Sequence, residues 1–553
     1  MSAATTTTSR RARVESSTGS ADALAGTGTL IRFVLRRDRI RIPAWLAALT
    51  VYTVGTAASF AELYPTAEAR QAAAETMGTP AGTAMTGPTR YLVDYNLGSM
   101  MGHQMLGFAA VLVALMSVLM VVRHTRAEEE TGRAELVRAS VVGRHAHLIA
   151  ALIVATATNV GLALLLAGGL AGLGLEGITV HGSLLYGAAH AAVGIAFAAV
   201  AAVTVQMTEH ARGASGMALT LVGLAYVLRA AGDIGEGALS WLSPIGWAQA
   251  TNVYVENRWW PLLLPFAVAA VLLAIAMVLS ARRDVGAGLR QTRPGAARGS
   301  AALAHPVGLA LRLHRGLLIG FAVALLVLGV AYGSILAEVE AMIAGVDVLE
   351  EALADIGGAT IVDSFASMIM TVLAIITSVY VVLAGLRLRA EENDGRAEPL
   401  LATALSRHTW VASHLAVAMV GGALVMLAGG LGFGITGALV LDDPAIVTTF
   451  AGAALAYVPA LWVTGSVAVL LFGWLPRAAL VAWVLPTYGF IAGYLGQILQ
   501  FPGWMRNLSP FGHVPQLPAA ELDVMPLIAL TALAALLIAG GLTGFSRRGI
   551  NAT

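Results

Sequence analysis

The stretch Arg126–Arg144 reads RAEEETGRAELVRASVVGR, and the stretch Arg389–Arg407 reads RAEENDGRAEPLLATALSR. Ten of nineteen positions are identical without a gap, at an offset of 263. Each charged stretch is wedged between two long apolar runs. A second pair, Leu242-Ser243-Pro244-Ile245-Gly246 and Leu508-Ser509-Pro510-Phe511-Gly512, repeats at an offset of 266. Arg36 and Arg39 match Arg312 and Arg315 more weakly near the start of each series. Three landmarks at nearly even spacing point to one unit used twice in the chain. Both halves then begin on the same side of a membrane, which implies a pseudo-twofold axis along its normal.

The apolar runs set the class. Of 553 residues 58% are hydrophobic and 12% charged, whereas a soluble domain is about a quarter charged. Net charge is +1, so no global field attracts a polyanion and a nucleic-acid partner is excluded. There is no cysteine, which removes disulfides and thiolate sites. All 33 basic residues are arginine.

A helix needs about 20 apolar residues to cross the hydrocarbon. Such runs fall at 43–60, 101–122, 147–171, 184–207, 215–229 and 260–280, then at 316–337, 366–386, 410–434, 447–472, 478–496 and 524–545. The expected fold is an all-α polytopic membrane protein of twelve transmembrane helices. Two runs are weak: 215–229 is short and ends at Arg229, and 478–496 is interrupted by Pro486. Each reads as a candidate broken or re-entrant element. With the N-terminus inside, 28 of 33 arginines fall on inside segments and 19 acids on outside ones. Arginine bias of this kind marks the cytoplasmic face, so both termini are expected in the cytoplasm of a plasma-membrane protein.

The organisation expected is a disordered tail at 1–26, a first half at 27–280 with its loop at 123–146, a linker at 281–314, and a second half at 315–553 with its loop at 387–409. Residues 27–41 alternate Leu30, Ile31, Val34 and Leu35 with Arg32, Arg36, Arg37, Arg39 and Arg41. That pattern suits an interfacial amphipathic helix or a cytoplasmic extension of the first span.

The paired loops carry the candidate site: Arg126, Glu128, Glu129, Glu130, Arg133 and Glu135, and Arg389, Glu391, Glu392, Arg396 and Glu398. Helical spacing puts Arg126 one turn from Glu130, and Arg396 within reach of Glu391 or Glu392. Gly132 and Gly395 are placed to bend the chain. A short charged helix lying across the membrane face fits a groove on a cytoplasmic partner, with opposed charges setting its register. The plain alternative is a solvated loop whose charges only mark the inside face.

These residues resemble the permeases of ABC-2 type exporters, in the actinobacterial branch associated with polyketide antibiotics such as tetronasin. The E-E-x-x-G-R-x-E pattern runs through Glu129-Glu130-Thr131-Gly132-Arg133-Ala134-Glu135 without a gap, and Glu392-Asn393-Asp394-Gly395-Arg396-Ala397-Glu398 repeats it less perfectly, with Asn393 where the first half has Glu130. The resemblance covers nearly all the chain beyond residue 25. It implies two fused six-helix ABC-2 type halves, with coupling helices between their second and third spans, a connecting helix at 27–41, and re-entrant regions at 229–257 and 497–522. It further implies a transport subunit driven by two copies of a cytoplasmic ABC ATPase that bind ATP and magnesium. The substrate class implied is a hydrophobic or amphiphilic small molecule moved outward through membrane lipid. This chain has no lysine, so it has no Walker loop and no cofactor of its own.

Methionines at 101, 105, 116 and 120, and at 368 and 370, are adaptable enough to line a substrate path, although packing in the helix bundle explains them as well. They are Met101, Met105, Met116, Met120, Met368 and Met370. An ion-coupled carrier is the alternative function, weakened because the spans hold almost no ionisable groups. His190 is one exception and reads first as a hydrogen-bonded packing residue. An intramembrane enzyme is weaker still, since neither H-E-x-x-H nor G-x-S-x-G occurs. The pair Asp442-Asp443 reads as a loop cap rather than a metal site.

Overall fold

In a hydrocarbon medium every amide must find its partner inside the protein, so long apolar runs become helices. The computed structural model describes residues 23–132, 142–235, 237–283, 288, 298–340, 360–495 and 502–549, and among these it is all-α with no strand. The chain divides into two compact units, residues 1–294 and 295–553. Among the described residues eleven helices are long and apolar enough to cross a membrane.

The first unit opens with α1 (Thr27–Arg37), which buries Leu30 and Val34 and carries Arg36 and Arg37 in its last turn. Six spans follow: α2 (Arg41–Leu63), α3 (Leu97–Glu130), α4 (Ala146–Gly172), α5 (Val180–Met207), α6 (Ala211–Ile234) and α7 (Trp260–Arg282). The stretch expected to be short at 215–229 is the continuous 24-residue α6. α3 contains a π-turn at Met101–Met105 and a break at Thr125. The expected tail at 1–26 lies largely outside the described residues.

The second unit holds α8 (Pro306–Gly333), α9 (Ile361–Asn393), α10 (Arg407–Leu441), α11 (Ala445–Trp474) and α12 (Val524–Arg547). The helix α8 begins at Pro306, well inside the linker expected at 281–314; proline suits the first turn, where its missing N–H is no loss. The run at 478–496 is not one helix. Pro476–Trp483 is a 3-10 turn, Val484–Phe490 a short α-helix and Ile491–Leu495 a π-turn. Pro486 lies inside that short helix; it lacks the amide donor a longer helix requires.

Burial follows the same order in each unit. α3 and α5 bury 72% and 78% of their apolar windows, α2 and α7 only 22% each. α9 and α11 are likewise the most buried in the second unit, with α8 and α12 at its rim. Helices approach closely where glycine removes the side chain. In α8, a Cβ on Gly329 would stand 2.1 Å from the Gly429 carbonyl oxygen of α10. A Cβ on Gly432 would stand 2.4 Å from the Leu326 carbonyl oxygen in the same seam. Gly320, on the same helix, meets nothing within 4 Å. Caps are specific as well: Asn96, Thr179, Thr360 and Ser406 each accept an amide N–H of their own first turn.

The substitution Gly329→Ala should separate α8 from α10 at the cost of overpacking, about 1–3 kcal/mol. Gly320→Ala is the matched control and should leave the unfolding midpoint in detergent unchanged. Equal midpoints for the two variants would refute the glycine seam.

Candidate functional site

The charged stretch that repeats in sequence also repeats in backbone geometry. α3 breaks at Thr125 and resumes as the short helix Arg126–Glu130; α9 turns at Leu386 and resumes as Arg387–Asn393. The Thr131 amide donates to the Ala127 carbonyl at 3.2 Å and the Gly132 amide to Glu129 at 3.1 Å. Their counterparts, 263 residues on, are Asp394 to Ala390 at 3.0 Å and Gly395 to Glu392 at 3.0 Å. Gly132 and Gly395 have φ of 72° and 69°, a left-handed conformation that costs glycine nothing and other residues strain. Each loop therefore makes the same elbow, with a glycine at the bend.

Two carboxylates of each elbow, Glu128 and Glu129 in the first and Glu391 and Glu392 in the second, point inward. Glu129 is gripped by both terminal nitrogens of Arg283, at 2.7 and 2.8 Å. Glu392 is gripped the same way by Arg548, at 2.7 and 2.6 Å. Arg283 and Arg548 each directly follow the last span of their unit. A two-pronged guanidinium–carboxylate pair fixes orientation as well as distance. Both forks are largely removed from solvent. The Arg548 guanidinium also lies over the rings of Phe472 and Phe545, at 4.8 and 5.0 Å. Each fork clamps the elbow after the second span to the end of the last span.

Around the forks the two units differ. In the first, Arg37 of α1 pairs with Glu128, while Asp38 meets Arg123 at 3.3 Å and His124 at 2.5 Å. Arg126, fully buried, holds Glu129 at 2.5 Å and donates to the Thr208 carbonyl. The expected Arg126–Glu130 pair does not form; the elbow is only five residues long, and Glu130 instead accepts from the Ala211 amide at 3.1 Å at the start of α6. In the second unit Glu391 turns back on its own elbow, to Arg387 at 2.8 Å and Arg396 at 2.6 Å. The hydrogen bond from Arg396 to Glu391 holds that guanidinium above its usual pKa. Arg389 is half-buried; Asp394, Arg396 and Glu398 are exposed. Arg133 and Glu135 lie outside the described residues.

The other candidates have plain settings. Met101, Met105, Met116 and Met120 are packed into the first unit's own core. Met370 is buried and Met368 half-buried. His190 is buried, with Nδ1 on the Tyr186 carbonyl at 2.8 Å. Asp442 ends α10 with φ 53°, and Asp443 accepts the Ala445 amide at 3.0 Å, so the pair caps a turn. Among the described residues no three His, Asp or Glu side chains converge as a metal site. Arg283 and Arg548 are the residues that loop-centred reading misses. Their signal was present: both follow a last span, 265 apart, nearly the same offset as the elbows.

Comparison with known proteins assigns the family. The family described as "Multidrug efflux system permease Rv1217c, C-terminal domain" matches residues 28–279 and 303–546. A relative from Mycobacterium tuberculosis (strain ATCC 25618 / H37Rv), described as multidrug efflux system permease protein Rv1217c, is 40% identical over 532 residues, covering 95% of each chain. The chain belongs to this permease family.

Removing one side of a buried ion pair strands the other, at about 3–5 kcal/mol. Glu392→Gln and Arg548→Gln should each lower the thermal unfolding midpoint in detergent sharply. The double exchange Glu392→Arg with Arg548→Glu should recover much of that loss. Single variants as stable as the parent chain would show that the fork holds nothing together.

Proposed function

We propose that this multi-pass membrane protein is the permease subunit of an ATP-driven exporter, moving hydrophobic or amphiphilic small molecules outward by alternating access. Membership of the multidrug efflux permease family is the observation that carries this reading. The chain has no lysine with which to build a Walker loop, so the motor is a separate polypeptide. Two copies of a cytoplasmic ABC ATPase, binding ATP and magnesium, would serve one elbow each. With two fused six-span halves, twelve crossings and both termini inside, the elbows face that partner.

The elbow's charges take two roles in this reading. Glu128, Glu129, Glu391 and Glu392, with Arg126, are internal: they hold the elbow rigidly on its unit. Asp394, Arg396 and Glu398 are exposed and placed to meet the ATPase, as is Glu130 on the first elbow. A push on an exposed elbow passes through Glu129–Arg283 or Glu392–Arg548 to the end of the last span. Movement then reaches two spans at once rather than bending one loop. Arg133, Glu135 and Arg389 complete the proposed docking charges. The methionines of α3 and α9 would meet cargo only once their helices part.

The test is purification of the complex in mild detergent, followed by intact mass and cargo-stimulated ATPase measurements. One permease chain with two copies of a Walker-loop ATPase is expected. Glu398→Arg should leave the unfolding midpoint nearly unchanged, as exposed substitutions do, and abolish stimulated ATPase and efflux together. Full coupling in that variant would move the docking surface elsewhere. A permease that couples flux to an ion gradient without an ATPase would replace the exporter reading by a secondary carrier.

A further inference from the structure

The two Ser-Pro loops share a backbone but not a chemistry. Ser243 accepts the amides of Ile245 and Gly246, at 3.2 and 3.3 Å, and Ser509 that of Phe511, at 3.4 Å. A Cβ on Gly246 would stand 2.1 Å from the Ser240 carbonyl oxygen; one on Gly512 would stand 2.3 Å from that of Arg506. Position 240 in the first unit thus corresponds to position 506 in the second, at the same offset of 266 that aligns the Ser-Pro pairs.

In the first unit this region is closed on itself. The Ser240 hydroxyl donates to Asp233 at 2.6 Å, and Asp233 faces the buried Arg229 at 3.5 Å. Arg229 also stacks on Tyr226 at 4.3 Å and donates to the Met85 carbonyl at 3.4 Å. Its cation is matched by a carboxylate, a ring and a carbonyl.

In the second unit the corresponding place is a cavity of about 270 Å³, lined by Thr371 of α9, Gly493, Arg506, Asn507, Phe511 and Gln516 among others. Arg506 is half-buried, and no carboxylate among the described residues pairs with it. The side-chain amides of Asn507 and Gln516 likewise have no hydrogen-bond partner among the described residues. The half-buried Arg506 and Gln516 and the exposed Asn507 therefore line one space with donors that no protein acceptor among the described residues takes. Donors of this kind suit an oxyanion, and the planar guanidinium grips a carboxylate or phosphate with two bonds. Trp504 and Leu508 flank Arg506 and are largely exposed, at 67% and 63%. Exposed tryptophan beside arginine belongs at the depth of lipid headgroups.

We propose that this cavity is an oxyanion site that holds the carboxylate or phosphate head of an amphiphile, its apolar tail running along the exposed Trp504 and Leu508. The head enters from the side expected to face outward. The first unit has Ser240, spent on Asp233, where the second has Arg506. The site rests on the cavity and its donors; only the notion that its occupant is exported cargo rests on the exporter reading.

The experiment uses the full chain in neutral detergent, titrated with a long-chain fatty acid brominated along its tail and with the methyl ester of that acid. Bromine quenches nearby tryptophan, so each midpoint reports affinity. Charge-assisted hydrogen bonds predict that the acid binds at least about tenfold more tightly than the ester. Arg506→Gln should bring the two within about twofold, while Arg506→Lys keeps part of the preference as a point charge. Equal binding of acid and ester by the parent chain overturns the site, and so does an Arg506→Gln variant that folds to the parent's unfolding midpoint and retains the preference. Competition identifies the occupant: displacement of the acid by phosphatidylglycerol assigns the site to bilayer lipid, and retention assigns it to cargo. None of these titrations needs ATP. Failure of ATP-driven efflux would remove the exporter reading and leave this binding intact, whereas failure of acid binding would remove the site alone.

Discussion

Hydrocarbon offers no partner to a polar group, and the rest of this structure follows from that shortage. Backbone amides are spent inside helices, and their first turns are closed by Asn96, Thr179, Thr360 and Ser406. Since lipid does not squeeze helices together as water does, close contact comes from glycine surfaces such as Gly329 against Gly429. Charges are confined to the ends of the spans, and those that leave water there are paired. The forks at Glu129 and Glu392 are cases of that rule.

This arrangement places rigidity at the elbow end of each unit. An elbow that merely hung between two spans would absorb a push. Here the elbow is bolted to the last span of its unit by a two-pronged ion pair. The first unit adds a further tie, from Arg37 of α1 to Glu128, that has no counterpart among the described residues of the second unit. The second elbow spends Glu391 on itself instead. The two elbows thus share a bend and a fork but differ in their ties to the start of the unit.

The sequence made some of this plain and concealed the rest for physical reasons. Apolar length alone reveals α2 through α7, because a helix in lipid needs little else. It overestimates 478–496, where hydrophobicity is sufficient but Pro486 interrupts the amide ladder. It underestimates 215–229, where α6 extends through Arg212 at one end and Arg229 at the other; the latter is buried against Asp233. The repeated loops were visible as charge, yet charge does not say which way it faces. Glu129 and Glu392 looked like partners for another chain and are held by Arg283 and Arg548, more than 150 residues away in sequence. Such a pairing is invisible to local spacing. Of the expected path, the methionines show why composition is a weak guide: the flexibility that suits a ligand also suits a core.

The 35 residues of α10 have a consequence of another kind. At about 1.5 Å per residue the helix is about 52 Å long, against a hydrocarbon slab of about 30 Å. Even at a tilt of about 40°, the upper end for membrane helices, it rises about 40 Å. One end must stand clear of the oily layer. Leu439, Val440 and Leu441 at its far end are exposed, so covering them takes hydrocarbon that reaches the end of the helix. Thickening the bilayer would cover them, and thinning it would bare more. The thickness of the surrounding bilayer therefore sets how much apolar surface this helix leaves uncovered.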